Sequence, residues 1–228
     1  MGKTYVVGDI HGAYRALRQC LDRSQFDYAH DHLISLGDVC DGWPETKQSI
    51  EELLQIANLT YVLGNHDLWA LDWMEHHHGE NIWKQQGGEA TVRSYWDGIP
   101  DAHIQFLQNA HPYYLLESRL FVHAGIDPFI PLERQGLTIF LWDRNLGRVV
   151  LDQYLKGKEN KITAFDEVYI GHTPIPYHHP IYNSGVWMMD TGAGWSGVLS
   201  MMNVETKEIF ASDPVPSLYP GIKGRTRE

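Results

Sequence analysis

Cysteine is nearly absent from this chain: only Cys20 and Cys40 occur in 228 residues. Two thiols cannot build the disulfide framework of a small secreted domain, and the compartment they fit is a reducing cytoplasm. Positive charge is also scarce, with 18 Lys and Arg against 29 Asp and Glu and a formal net charge of -11. Affinity for a nucleic-acid backbone comes from clustered Lys and Arg, and no such cluster occurs here, so no nucleic-acid binding is expected. A phosphorylated substrate is not excluded, because bound cations dominate the local field of a site that holds them. No apolar run is long enough for a membrane span, and no basic segment with an apolar core opens the chain, so neither a span nor a signal peptide is expected. Linkers, internal repeats and low-complexity stretches are missing too. The expectation is a single domain over residues 1–212 with a helical cap insert at 68–110. A flexible, poorly packed tail is expected at 213–228, where Pro214, Pro216, Pro220 and Gly221 cluster.

What the chain does have is a series of short polar motifs, each closing an apolar run. These are Gly8-Asp9-Ile10-His11-Gly12, Gly37-Asp38-Val39-Cys40-Asp41, Gly64-Asn65-His66-Asp67, His123-Ala124-Gly125 and Gly171-His172. The runs before them, Thr4–Val7, Leu33–Leu36, Leu59–Leu63, Leu120–Val122 and Val168–Ile170, are short and rich in Val, Ile, Leu and Tyr, as buried strands are. Helical spacing follows at Ala13–Arg23 and Pro44–Ile56, which makes βαβ crossovers of the first third. Residues from Leu68 to Asn109 lose strand character and read as helices broken at glycines, while strands return from Tyr113 onward. Metal-binding side chains thus recur at strand C-terminal ends, where open α/β sheets build their sites. Asp9 and His11, two residues apart on an extended backbone, fall on one side and can grip one ion. Asp, His and Asn suit Mn, Fe, Zn or Mg, and several converging on one edge can hold two ions. The pattern points to a binuclear metal hydrolase.

The order of these motifs resembles the calcineurin-like metallophosphoesterases, and within them the phosphoprotein-phosphatase branch of lambda-phage-type and small bacterial Ser/Thr protein phosphatases. The resemblance spans most of residues 4–204. It implies an α/β metallophosphoesterase fold, two mixed β-sheets packed as a sandwich flanked by helices. It implies that Asp9, His11 and Asp38 hold one divalent ion, that Asp38, Asn65, His123 and His172 hold a second, and that Asp38 bridges them. Manganese is the first expectation, with iron, zinc or magnesium as alternatives. His66 is similar to the family's general acid and Asp41 to the carboxylate that orients it. Trp142-Asp143-Arg144 is similar to a stretch that supplies a phosphate-binding arginine, so Arg144, with Asn65, is expected to bind substrate.

The chemistry follows from the residue types. Two ions a few ångströms apart hold a shared water as hydroxide near neutral pH and neutralise the phosphoryl oxygens it attacks. A histidine beside a carboxylate can protonate the departing alkoxide. An arginine grips two oxygens with a planar fork that lysine lacks.

Two departures from the branch matter. Gly42-Trp43 stands where the branch has Arg-Gly, so one arginine of the phosphate clamp is missing; either Arg93, Arg15 or Arg144 fills the gap or the pocket takes something other than a simple phosphomonoester. Asp67 stands where protein phosphatases usually have Glu, a detail closer to the bacterial diadenosine tetraphosphatases, as is the run His123–Ile126. The favoured expectation is a dimetal-dependent phosphatase acting on phosphoserine, phosphothreonine or phosphotyrosine in proteins, or on small phosphoesters. The alternatives are a dinucleoside polyphosphate or nucleotide hydrolase and, of another class, a metal-binding pseudoenzyme that recognises phosphorylated partners. His76-His77-His78 and His178-His179 are expected to be solvated or pocket-rim residues rather than ligands.

Overall fold

In the computed structural model, which describes residues 2–225, the chain begins β1 (Thr4–Val7), α1 (Tyr14–Ser24), β2 (His32–Ser35), α2 (Thr46–Leu53), β3 (Asn58–Tyr61) and α3 (Asn65–His76). It continues through a short α4 (Asn81–Trp83), a π-turn at Lys84–Gly88, α5 (Glu89–Ser94) and α6 (Asp101–Gln108) to β4 (Tyr113–Leu116) and β5 (Arg119–Val122). After these come α7 (Leu137–Trp142), α8 (Asn145–Leu155), β6 (Glu167–Ile170), β7 (Ile181–Asn183), β8 (Val186–Met188), β9 (Ser200–Asn203), β10 (Ile209–Ala211) and α9 (Val215–Leu218).

Two sheets form, in the orders β10-β9-β1-β2-β3 and β4-β5-β6-β8-β7. Each has three parallel strands: β1-β2-β3 runs to one edge of the first sheet, with antiparallel β9 and β10 on the other side, and β5-β6-β8 forms the centre of the second, with antiparallel β4 and β7 at its edges. The fold is therefore the α/β sandwich of two mixed sheets that the motif order implies. The period of two along a strand explains the packing. In β1, Tyr5 and Val7 join the apolar cluster under the helices of the first sheet, while Val6 joins a second cluster between the sheets. In β5 and β6, Leu120, Val122, Val168 and Ile170 pack outward, and Phe121 and Tyr169 point inward. Those two rings are register partners and stack at 4.5 Å with planes 9° apart. Strands buried on both faces need continuous apolar runs, which is why each run before a motif is short and unbroken.

Three features differ from the sequence reading. Helices α7 and α8 lie where only strands are expected. Gly147 in the first turn of α8 weakens its helical pattern, yet a side chain there would meet the Thr173 hydroxyl at 3.3 Å, so the glycine serves close packing. The edge strand β7 was also not anticipated. The third difference is partial: residues 213–225 of the expected flexible tail are mostly exposed but are held to the domain at a few positions, and 226–228 lie outside the described residues. Val215 and Tyr219, four apart on one face of α9 and the turn after it, are both buried. Tyr219 stacks on Trp43 at 5.0 Å and its hydroxyl reaches Glu45, while Arg15 Nη1 donates to the Leu218 carbonyl at 2.6 Å. The prolines that suggested disorder only remove backbone donors, and Pro214 and Pro216 sit at the start of α9, where such donors have no partner anyway.

Candidate metal centre

Five strand ends empty onto one edge. Asp9 and His11 follow β1, Asp38 and Asp41 follow β2, Asn65 and His66 open α3 after β3, His123 follows β5 directly, and His172 follows β6. The backbone has to bend sharply to turn these side chains inward. Among the described residues nine non-glycine positions have positive φ, and four of them, His11, Asp38, Asp41 and His172, are here. Each such residue costs about 1–3 kcal/mol, and this strain is concentrated where function can use it. The left-handed turn at His11, with φ of 51°, also corrects the reasoning for the first motif: Asp9 and His11 converge through a bend, not through strand alternation.

The bent loops hold one another. Asp9 accepts the His172 backbone N–H at 3.0 Å, and Asp38 Oδ1 accepts that of His66 at 2.9 Å. Asp67 accepts from the backbones of Asp38, Cys40 and Gly64 at 2.7, 3.2 and 3.0 Å and from the Tyr61 hydroxyl at 2.7 Å. The unusual Asp67 is thus the buried brace between the second and third motifs.

Two groups of possible ligands result, Asp9-His11-Asp38 and Asp38-His123-His172, all buried, with ligand atoms in each group within 4.8 Å of one another. Asp38 belongs to both, its Oδ2 lying 3.8 Å from His11 Nε2 and 3.4 Å from His123 Nε2. Asn65 Oδ1 lies 3.0 Å from the same His123 nitrogen. His11 Nδ1 donates to the Cys40 carbonyl at 2.9 Å and His123 Nδ1 to the Leu36 carbonyl at 2.8 Å, which turns both Nε2 atoms toward the cluster.

The electrostatics ask for cations. Burial works against a charged His123, yet the Asp38 carboxylate pushes its pKa up to about 9, so a proton stands among Asp38, Asn65 and His123. Burial and the nearby Asp190 push the Asp9 carboxyl up, whereas His123 and His66 overcome burial and hold Asp38 well below the usual range. Burial holds His11 and His172 neutral, as metal ligands must be. His172 Nε2 is buried without a hydrogen-bond partner among the described residues. An orphaned ring nitrogen facing a shared carboxylate is costly unless something binds it, and a divalent ion fits. The nitrogen and oxygen donors suit Mn, Fe or Zn, and neither cysteine takes part.

Beside the ligands, His66 Nδ1 and Asp41 Oδ2 lie 2.6 Å apart. Trp83 Nε1 donates to the same oxygen at 2.7 Å, and the Thr91 hydroxyl to Oδ1 at 2.7 Å. Burial pushes Asp41 up to about 8 and His66 down to about 3, so the pair crosses neutral pH without net charge and with a proton shared between them. Arg144 Nη1 donates to the His172 carbonyl at 3.0 Å, and its charge is felt at both His172 and His66. Trp69 and Trp142 form an aromatic wall, with Trp69 edge-on to His66 at 5.2 Å and to Trp142 at 4.8 Å.

Four participants have no site role in the sequence reading: Asp190, Trp83, Thr91 and Arg225. Asp190 at least closes an apolar strand as the other acids do. Trp83 and Thr91 carry no such signal. Arg225 comes from the segment read as a tail, and its Nη1 lies 3.3 Å from His11 Nε2. Of the three arginines expected at the Gly42 gap, Arg93 lines the cleft beside it. Arg15 pairs with Glu45 at 3.3 Å, Arg93 with Glu89 at 2.8 Å, and Arg144 is tied to the His172 carbonyl. The His76–His78 run ends α3 in solvent, away from the cluster.

A family model described as calcineurin-like phosphoesterase matches residues 2–196. Serine/threonine-protein phosphatase 1 of Salmonella typhimurium is 28% identical over 209 residues, covering 88% of this chain and 91% of that protein. The symmetrical bis(5'-nucleosyl)-tetraphosphatase of Pseudomonas putida is also 28% identical, covering 92% of each. Among solved structures, a putative diadenosine tetraphosphatase superposes with a TM-score of 0.71 at 18% identity over 93% of both chains. A cold-active protein-tyrosine phosphatase of a Shewanella species superposes at 0.62 and 16% identity, covering 92% of this chain and 80% of that one.

Proposed function

The chain belongs to the calcineurin-like phosphoesterase family, and from the geometry of its buried cluster we propose that it hydrolyses phosphomonoesters, with phosphoserine, phosphothreonine and phosphotyrosine in proteins as substrates. The observation that carries this reading is the His66–Asp41 pair beside two ligand groups that share Asp38. In the proposal Asp9, His11 and Asp38 hold one divalent ion and Asp38, Asn65, His123 and His172 the other, with manganese favoured. When bound, two such ions activate water for attack at phosphorus and neutralise the phosphoryl oxygens.

The chain's own residues then serve the leaving group. As the free ring N–H of His66 passes to the departing alkoxide, the proton shared with Asp41 moves onto the ring, and one negative charge is left on the pair. Trp83 and Thr91, both donating to Asp41, stabilise that charge. An alkoxide from serine or threonine needs this proton, whereas a phosphate leaving group from a polyphosphate anhydride needs little help. Retention of a buried, fully hydrogen-bonded Asp41 therefore favours the phosphomonoester. Arg144, fixed through the His172 carbonyl, is proposed to bind the substrate phosphate with Asn65. Cys20 and Cys40 are free, buried thiols, Cys20 pushed up to about 12 by burial, which fits the reducing cytoplasm proposed for the protein.

One observation favours the anhydride reading: a cleft of about 350 Å³ beside Gly42 is lined by Lys84, Arg93, Lys223 and Arg225, and such a cleft suits a longer phosphate chain. The test is a chromogenic phosphatase assay with added manganese, followed by specificity constants for phosphopeptides and diadenosine tetraphosphate. Higher values for phosphopeptides support the proposal, and the reverse ratio transfers it to the polyphosphate. Stoichiometric metal without turnover of either would make the protein a phospho-recognition pseudoenzyme.

A further inference from the structure

Arg225 is anchored at its backbone and on one side of its guanidinium. Its backbone N–H donates to the Gly194 carbonyl at 2.8 Å, its guanidinium carbon lies 4.5 Å over the Trp195 ring, and its Nη2 donates to Gln86 at 2.9 Å. The stem passes between two glycines. A Cβ at Gly42 would lie 3.2 Å from Arg225 Cγ and one at Gly87 3.1 Å, and both glycines have φ above 100° and are tied by the Gly42 N–H to the Gly87 carbonyl. The absent side chain at Gly42 is thus the space that admits Arg225. The guanidinium then points at the cluster, with Nη1 3.3 Å from His11 Nε2.

Asp38, Asp41, Asp190 and Asp9 attract its charge from a distance, but burial outweighs them and no direct ion pair forms: among the described residues no carboxylate oxygen lies within ion-pair distance of Arg225, and its Nε is buried without a hydrogen-bond partner. A largely desolvated cation with an unused donor is an expensive arrangement that an incoming anion relieves. Arginine's planar fork matches phosphoryl oxygens, and a ring beneath it fixes the plane of that fork.

We propose that Arg225, carried to the site by the C-terminal segment, binds the phosphoryl oxygens of the substrate in the space left open by Gly42. The proposal rests on the phosphoesterase reading above and adds a residue from outside the matched residues 2–196. The C-terminal segment is then part of the site. Tyr219 on Trp43 fixes the approach to it, and Gly224 lies so close to Trp43 and the Gly194 carbonyl that a Cβ would meet each at 2.7 Å.

The test measures inorganic phosphate binding to the manganese-loaded protein by isothermal titration calorimetry, with metal content determined alongside. Arg225→Ala should weaken phosphate binding by about 10- to 150-fold, the range for hydrogen bonds to charged groups, with metal content and melting temperature close to wild type. Arg225→Lys should recover only part of the loss, since a point charge replaces the fork. Unchanged phosphate affinity in Arg225→Ala would overturn the proposal. So would tighter metal binding with faster turnover, which would make the arginine an occupant of the first ion's place. The readout needs no turnover. A wild-type protein that binds phosphate through Arg225 yet hydrolyses no phosphoester would fail the function reading and keep this one.

Discussion

The strand-end loops and the cap with its C-terminal neighbour reach the same site by opposite means. The loops place His11, Asp38, Asp41 and His172 by backbone strain, with left-handed turns locked by carboxylates that accept backbone N–H groups. The cap and the C-terminal segment contribute through relaxed helices and turns, whose side chains Trp83, Thr91 and Arg225 reach in from 42 to 214 positions away in sequence. The first region builds a charge trap, and the second tunes what is protonated and what is held beside it. The difference teaches that the proposed metal cluster and the proposed proton-transfer pair are separable. Damage to one should leave a recognisable part of the other.

The largest effect should come from the shared ligand. Asp38→Asn keeps the shape but removes the charge common to both groups, so occupancy of both ions and all turnover should be lost. Metal analysis after gel filtration in manganese checks this, and a variant retaining two tightly bound ions would break the comparison at its root. Next comes the pair. His66→Asn should leave metal content intact and slow an alkyl phosphate far more than p-nitrophenyl phosphate, whose leaving group needs little protonation. The gap should be at least about tenfold, given that general-acid catalysis is typically worth ~10²–10⁴. Equal losses on the two substrates would move His66 to metal positioning.

How legible each region is in sequence follows from the same contrast. Candidate ligands at strand ends announce themselves, because an apolar run, a glycine and a metal-binding residue type sit next to each other, as at Leu36-Gly37-Asp38. The two mixed sheets follow from those runs. Trp83 is unreadable in this way: eight tryptophans occur in the chain, and nothing local distinguishes the one that donates to Asp41 from those that pack the core. Arg225 is hidden further, since proline-rich composition after Ser212 argues for disorder while the burial of Val215 and Tyr219 depends on partners fixed only in the folded molecule. Asp67 was noticed as a departure, but its four hydrogen bonds could only be seen once the loops had closed.

A smaller change sharpens the boundary between the regions. Trp83→Phe removes one donor to Asp41 and keeps most of the packing against Trp73, whose ring lies 5.8 Å away. The expected result is a loss of about 1–3 kcal/mol in stability. Turnover of alkyl phosphates should fall by about tenfold, with p-nitrophenyl phosphate little affected. A uniform loss on both would mean that the cap supports the whole site rather than the pair.

The smallest effect concerns the cap alone. His103 in α6 is buried, its Nδ1 is 2.8 Å from the Tyr95 hydroxyl, and burial pulls its pKa down to about 4. Between about pH 4 and the ordinary histidine value of about 6.5, the unfolded chain therefore binds a proton that the folded one refuses. The stability this group contributes is fully present above that ordinary value and is lost as the pH falls toward 4. Asp67 and Asp190, raised to about 6 by burial, slope the other way, losing stability as the pH rises past their unfolded values, so the total curve mixes both. The difference between wild type and His103→Gln isolates the cap. Wild type should lose on the order of 1–3 kcal/mol relative to the variant on going from pH 7 to pH 4.5, measured by urea unfolding of the metal-free protein at each pH. Metal-loaded protein should show the same difference, because His103 lies outside both ligand groups. A difference that disappears when manganese is added would tie the cap's protonation to the strand-end cluster and end the separation between the two regions.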